Sequence, residues 1–135
     1  MMAGIVRRLT TTAAVVALAA GSTAPAQASE RSYRIDGNSE STINIDVCSP
    51  QVDLVADGDN DTDLDYWLYD NNNNQIHTDA DSTDITFYTI RSAASPGRCL
   101  PYRLRVKNLG NVYNQMTLRL TDTGTIASSG RTSID

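Results

Sequence analysis

Residues 57 to 70 read Asp57-Gly58-Asp59-Asn60-Asp61-Thr62-Asp63-Leu64-Asp65-Tyr66-Trp67-Leu68-Tyr69-Asp70. The second half decides the fold class. Leu64, Tyr66 and Leu68 alternate with Asp65, Trp67 and Tyr69, and a period of two is the signature of a strand with one face against a core. The first half decides the candidate chemistry. Aspartates at every second position from Asp57 to Asp65 repel one another unless solvent, a hard cation or a basic partner offsets them, and a hard cation takes oxygen ligands of this kind.

The same alternation recurs on both sides of this stretch. Ile43, Ile45 and Val47 alternate with Asn44 and Asp46; Tyr102, Leu104 and Val106 with Arg103, Arg105 and Lys107; Met116, Leu118 and Leu120 with Thr117, Arg119 and Thr121. Val52 to Val55 and Ile85 to Ile90 are further strand segments, and Tyr33 to Ile35 reads as a first edge strand. Turn-forming clusters separate them at Asp57-Gly58, Asn71 to Asn74, Thr78 to Asp84, Ser95-Pro96-Gly97 and Leu109-Gly110-Asn111. The asparagine tract reads as a hairpin tip, because Asn tolerates left-handed backbone. Seven to eight short strands predict an all-β antiparallel sandwich of jelly-roll or immunoglobulin-like architecture over residues 29–122. Residues 123–135, rich in Ser, Thr and Gly, read as a flexible tail.

The N-terminus reads differently. Arg7 and Arg8, the apolar run Ala13 to Ala20 and the small-x-small triplet Ala26-Gln27-Ala28 form a secretory signal peptide over residues 1–28. The apolar run is far short of the roughly 20 residues a bilayer span requires. A secreted or periplasmic location follows, with no membrane insertion. Cleavage would leave 9 basic residues (11 less Arg7 and Arg8) against 16 acidic ones, a net charge of −7. Such a surface disfavours nucleic acid and anionic membranes as partners. The charge is unevenly placed: no Lys or Arg lies between Arg34 and Arg91, whereas Arg103, Arg105, Lys107 and Arg119 follow. Attraction between opposite charges on neighbouring strands is one reading; a basic strip for an acidic ligand is the other.

Cys48 and Cys99 are the two cysteines, and in an oxidising compartment they allow one intramolecular disulfide. Closing a loop of that length would add about 4 kcal/mol by the chain-entropy argument.

Chemistry is sparse. His77 is the sole histidine and reads as a solvated residue of the asparagine-rich hairpin, and no base is evident for a nucleophile. The aspartates crowd one turn rather than flanking a cleft as glycosidase carboxylates do, and the cysteines lack neighbouring zinc ligands. A catalytic role is not expected. Calcium is the candidate cofactor, held by Asp57, Asp59, Asp61, Asp63 and Asp65 with help from the Asp79 to Asp84 loop; a solvated acidic turn is the alternative. The segment lacks the glycine and the terminal Glu of an EF-hand loop. Trp67, Tyr69 and Tyr88 are candidate ligand-binding aromatics on an outward face, if Trp67 does not instead pack under a loop or into a second sheet.

Taken in order, Thr62 to Asp70, Asn73-Asn74-Gln75-Ile76, Pro96-Gly97, Tyr102-Arg103-Leu104-Arg105-Val106 and Tyr113 to Leu120 resemble the bacterial pre-peptidase C-terminal domain. That family carries a D-L-D-L-x-L-x-D strand with an Asn-Gly turn, a Pro-Gly-x-Tyr corner, a V-x-V strand and a final Tyr-x-Leu strand. The resemblance spans about Tyr33 to Thr121 and implies a secreted β-sandwich, sometimes with calcium, without catalysis; some members resemble collagen-binding modules. This chain departs by inserting Arg98-Cys99-Leu100-Pro101 at the corner, which would tie Cys99 to Cys48, by placing Asn73 or Asn74 where the turn glycine stands, and by carrying no protease. Two functions are consistent with these residues. One is a secreted non-catalytic binding module contacting an extracellular polymer or protein. The other is an accessory, chaperone or inhibitor of a separately encoded secreted protease.

Overall fold

Alternation of apolar and polar side chains becomes two packed antiparallel sheets in the computed structural model, which describes residues 27–123 and 132–135. The strands are β1 (Gln27–Ile35), β2 (Glu40–Val47), β3 (Gln51–Asp57), β4 (Leu64–Tyr69), β5 (Gln75–Asp79), β6 (Ile85–Arg91), β7 (Leu100–Asn108), β8 (Asn114–Asp122) and β9 (Ser133–Ile134). One sheet has the order β1-β8-β3-β6, the other β5-β4-β7-β2-β9. The described residues contain no helix, so none that could cross a membrane.

The inward positions supply the core. Ile43, Ile45 and Val47 of β2, Leu64, Tyr66 and Leu68 of β4, and Leu104 and Val106 of β7 face Val52, Leu54 and Ala56 of β3 and Met116, Leu118 and Leu120 of β8. All are buried. At roughly 1.5–3 kcal/mol per large apolar side chain removed from water, this layer is the main stabilising term.

The pairing explains the lopsided charge. β7, bearing Arg103, Arg105 and Lys107, lies between β4 and β2, which bear Asp65, Glu40 and Asp46. The Cys48–Cys99 disulfide joins the end of β2 to the segment entering β7, with Cα atoms 4.1 Å apart.

Nine strands form among the described residues where seven to eight are expected. β5 continues the hairpin whose tip is the asparagine tract. Asp70 organises that tip: its carboxylate accepts from the backbone N–H groups of Asn72 and Asn74, both at 2.9 Å, and Asn73 takes the left-handed conformation (φ 69°). These bonds hold the Asp70 carboxyl below its usual range, the Asn74 N–H contributing most. β9 corrects the reading of a flexible tail for residues 132–135. Its backbone pairs with β2, Ile134 and Thr132 are buried, and Thr132 Oγ1 accepts the Cys48 N–H at 3.3 Å. The expected signal peptide lies outside the described residues except for Gln27 and Ala28, which pair with Asp122 and Thr121 at the start of β1.

Candidate functional site

Two surfaces emerge from the quoted stretch, one at the acidic turn and one on the outer face of β4. At the turn, parity along the neighbouring strands carries polar groups into the interior. Inward positions of β8 run Leu120, Leu118, Met116 and then Asn114; inward positions of β6 run Ile90, Tyr88, Thr86 and then, just before the strand, Asp84. Asn114 and Asp84 are therefore buried, with exposures of 0% and 5%. Buried polar groups need partners, and these two find theirs in the acidic loop. Asn114 Oδ1 accepts the Asp59 N–H at 3.0 Å, while its Nδ2 donates to the Thr62 carbonyl at 3.1 Å, to Thr62 Oγ1 at 3.2 Å and to Asp84 Oδ2 at 3.3 Å. Asp84 Oδ2 also accepts the Asn60 N–H at 2.6 Å, and its backbone carbonyl accepts from Gly58 N–H (2.9 Å) and from the Tyr66 hydroxyl (2.7 Å). Burial, aided by the Asp84 charge, pushes the Tyr66 hydroxyl pKa far upward. Gly58 is required by close approach, because a Cβ there would stand 2.2 Å from Asp84 Oδ2.

This network divides the five aspartates expected as calcium ligands between one cleft and its surroundings. Asp57 ends β3 beside Thr117 and Arg119 on the outer face of the four-stranded sheet. Asp59 uses one carboxylate oxygen on the Asp61 N–H and the other on the Gln115 N–H, at 3.1 and 2.8 Å. Asn60 breaks the alternation with a φ of 68°. Asp65 lies in β4, paired with Lys107. Asp57, Asp61 and Asp63 line a cleft of about 570 Å³ with Thr83 and Asp84. One carboxylate oxygen of Asp63 and one of Asp65 lack partners among the described residues. Both carboxyls titrate above their usual range, mainly through desolvation; Asp63 is raised further by the charges of Asp81, Asp84 and Asp79, and Asp65 by that of Asp63. Among the described residues no three acidic, His or Cys side chains are disposed around a common metal position. The arrangement organises the loop.

The second surface is flatter. On the outer face of the five-stranded sheet, Asp65, Trp67 and Tyr69 of β4 lie opposite Lys107, Arg105 and Arg103 of β7. The Arg105 guanidinium carbon sits 4.3 Å from the Trp67 ring centroid and that of Arg103 sits 5.1 Å from the Tyr69 ring. Arg105 Nη1 donates to the Tyr69 hydroxyl at 3.3 Å, and Arg103 Nη2 donates to Asn73 Oδ1. Glu40 of β2 approaches Arg105 Nε at 3.3 Å, a charge contact without hydrogen-bond alignment. Trp67 and Tyr69 are thus half-buried beneath arginines, neither fully bare nor under a loop. At the Arg103 end the face opens into a cleft of about 400 Å³ bordered by Asn44, Asp46, Asp70, Asn73 and Pro101.

No protein-family model matches the chain, and no curated protein has a significantly similar sequence. The resemblance to the pre-peptidase C-terminal domain thus rests on the order of its motifs.

Tyr88 and His77 take other places. Tyr88 belongs to β6 in the opposite sheet, faces inward and stacks on His77 with ring centroids 4.8 Å apart, so it is not part of the Trp67 face. His77 is not a solvated loop residue: it sits half-buried in β5, with Nε2 2.8 Å from Thr86 Oγ1. Together they bridge β5 and β6, the facing edges of the two sheets. Asn114 is not among the candidates read from the sequence, and Asp84 enters there only as part of the Asp79 to Asp84 loop; a polar residue one step beyond an alternating apolar run is the signal that marks both.

Proposed function

We propose that this protein is a non-catalytic binding module that contacts an extracellular polymer or protein through the outer face of its five-stranded sheet. The ladder of Trp67, Arg105, Tyr69 and Arg103 carries this reading. Each arginine is held against a ring, so its rotamer freedom is already reduced and its outward N–H groups are set for a partner's oxygens. Aromatic and arginine side chains at the centre of a flat strip are the types that dominate contact energies. The ordering fits the pre-peptidase C-terminal resemblance, whose members act as appended modules. A calcium contribution is retained only at the Asp63 end of the acidic turn, and calorimetric titration with calcium chloride tests it; absence of heat removes it.

The test is retention on insoluble polysaccharides and on collagen by the protein and by Trp67→Ala and Arg105→Ala variants. Retention of the parent and loss in both variants is the expected result. Equal retention of all three would overturn the assignment of this face.

A further inference from the structure

A strand at the end of a sheet presents a row of unpaired backbone donors and acceptors, and proteins usually blunt such edges with charge, proline, bulges or brevity. Three of the four edges here are blunted. β1 carries Glu30, Arg31 and Arg34; β5 has five residues and a register shift opposite Leu68 and Tyr69; β9 has two residues. β6 is different. It runs seven residues, Ile85-Thr86-Phe87-Tyr88-Thr89-Ile90-Arg91, with no charge before Arg91 and no proline or glycine.

The register shows which groups are free. Gly58 N–H bonds the Asp84 carbonyl and Ser92 N–H bonds the Pro50 carbonyl, so the hydrogen-bonded positions facing β3 are the even ones, Thr86, Tyr88 and Ile90. The N–H and C=O groups of Ile85, Phe87, Thr89 and Arg91 point away from β3 and have no partner among the described residues. Above this edge Phe87 is 58% exposed and Ile85 46%, with Phe87 the most exposed large apolar side chain described. Val55 pairs with Phe87 and continues the apolar patch onto β3.

We propose that β6 pairs antiparallel with β6 of a second copy of this chain, joining two four-stranded sheets into one across a two-fold axis at Tyr88. In that register Phe87 of each copy faces Thr89 of the other, and Ile85 faces Arg91. All four outward residues then exchange both backbone hydrogen bonds. Charge selects the second copy as occupant. The N-terminal end of β6 follows the acidic connection Asp79 to Asp84, its C-terminal end bears Arg91, and between them the strand is uncharged. Antiparallel self-pairing therefore sets each Arg91 beside the acidic end of the other copy, whereas a parallel arrangement would set acid against acid. The contact is distinct from the Trp67 face, which lies on the other sheet.

The test is sedimentation velocity on the purified protein across a range of concentrations, with Phe87→Lys as the variant and amide hydrogen exchange as a second readout. Phe87 faces solvent, so the variant keeps the core. The expected result is a mass of two chains for the parent, one for Phe87→Lys, and protection of the Ile85, Phe87, Thr89 and Arg91 amides only in the parent. The amides of Thr86, Tyr88 and Ile90 stay protected in both, which also reports that the variant is folded. A parent that sediments as one chain at every concentration overturns the proposal. So does a dimer that Phe87→Lys leaves intact with the four outward amides unprotected.

Discussion

Replacing Asn114 with alanine is the sharpest probe of how the acidic turn is held. The side chain is fully buried at the start of β8 and serves three residues at once: the Asp59 amide, the Thr62 carbonyl and hydroxyl, and the Asp84 carboxylate. Alanine leaves these groups without that partner and opens a void of side-chain size. Asp59 is exposed and Thr62 partly exposed, so their freed groups recover water and their loss is modest. The Asp84 carboxylate oxygen is buried and keeps only the Asn60 N–H. Losing a hydrogen bond to a buried charged group costs about 1.5–3 kcal/mol, and a neutral one about 1 kcal/mol. The sum is roughly 3 kcal/mol. For a domain of this size each kcal/mol is worth about 4–8 °C, so the expected fall in Tm is on the order of 12–24 °C. Urea denaturation followed by Trp67 fluorescence gives the free energy, and amide exchange of residues 58 to 63 tests whether the loop loosens with it. A loss under about 0.5 kcal/mol, with exchange of the loop unchanged, would refute the view that Asn114 anchors the turn.

Three further outcomes follow from the geometry. Tyr66→Phe removes a 2.7 Å bond to a carbonyl that still accepts the Gly58 N–H, so the expected cost is about 1 kcal/mol in the same denaturation assay. Replacing both Cys48 and Cys99 with alanine releases a sequence separation of 51 residues, which is worth about 4 kcal/mol if the closure term dominates; calorimetric melting measures it. The pH dependence has a definite sign. Asp63 and Asp65 hold their protons more tightly folded than unfolded, so their contribution favours the folded state below the ordinary carboxylate range and is lost as pH rises through their raised values. Asp63→Asn should therefore raise the Tm at neutral pH and flatten its decline above the usual aspartate range, most clearly at low salt. A variant that melts below the parent at neutral pH would contradict this.

Much of the sandwich is legible in side-chain alternation, because a half-buried strand must alternate. The strands β2, β4, β7 and β8 announce themselves in that way. β5 does not, since Gln75-Ile76-His77-Thr78-Asp79 carries a single aliphatic residue and lies on an edge where burial is partial. β9 is two residues inside a polar tail and exists because β2 offers it an edge. Alternation also says which side chains of one strand share a face but not which sheet the strand joins, so the sequence alone does not separate Tyr88 from Trp67, which lie in different sheets. The disposition of the aspartate run is set locally. Regular spacing puts side chains on one face only where the backbone stays extended, and the left-handed Asn60 turns the chain midway. The groups that hold the turn, Asp84 and Asn114, come from strands distant in sequence, where only their inward parity marks them.

The order of the strands also governs how fast the molecule can form. Among the described strands only β4 and β5 pair with a sequence neighbour; β1 waits for β8, β2 for β7 and β9, and β3 for β6 and β8. Topologies dominated by such distant pairings fold in milliseconds to seconds rather than microseconds, because loop closure precedes its reward. The hairpin begun by Leu64 to Tyr69 is thus the one piece that joins sequence neighbours; β6 can then close on β3, while β1 and β2 find partners only when β7 to β9, in the final third of the chain, are available. Slowing that hairpin, for instance by replacing Asn73 with a β-branched residue at its left-handed position, would delay the whole sandwich.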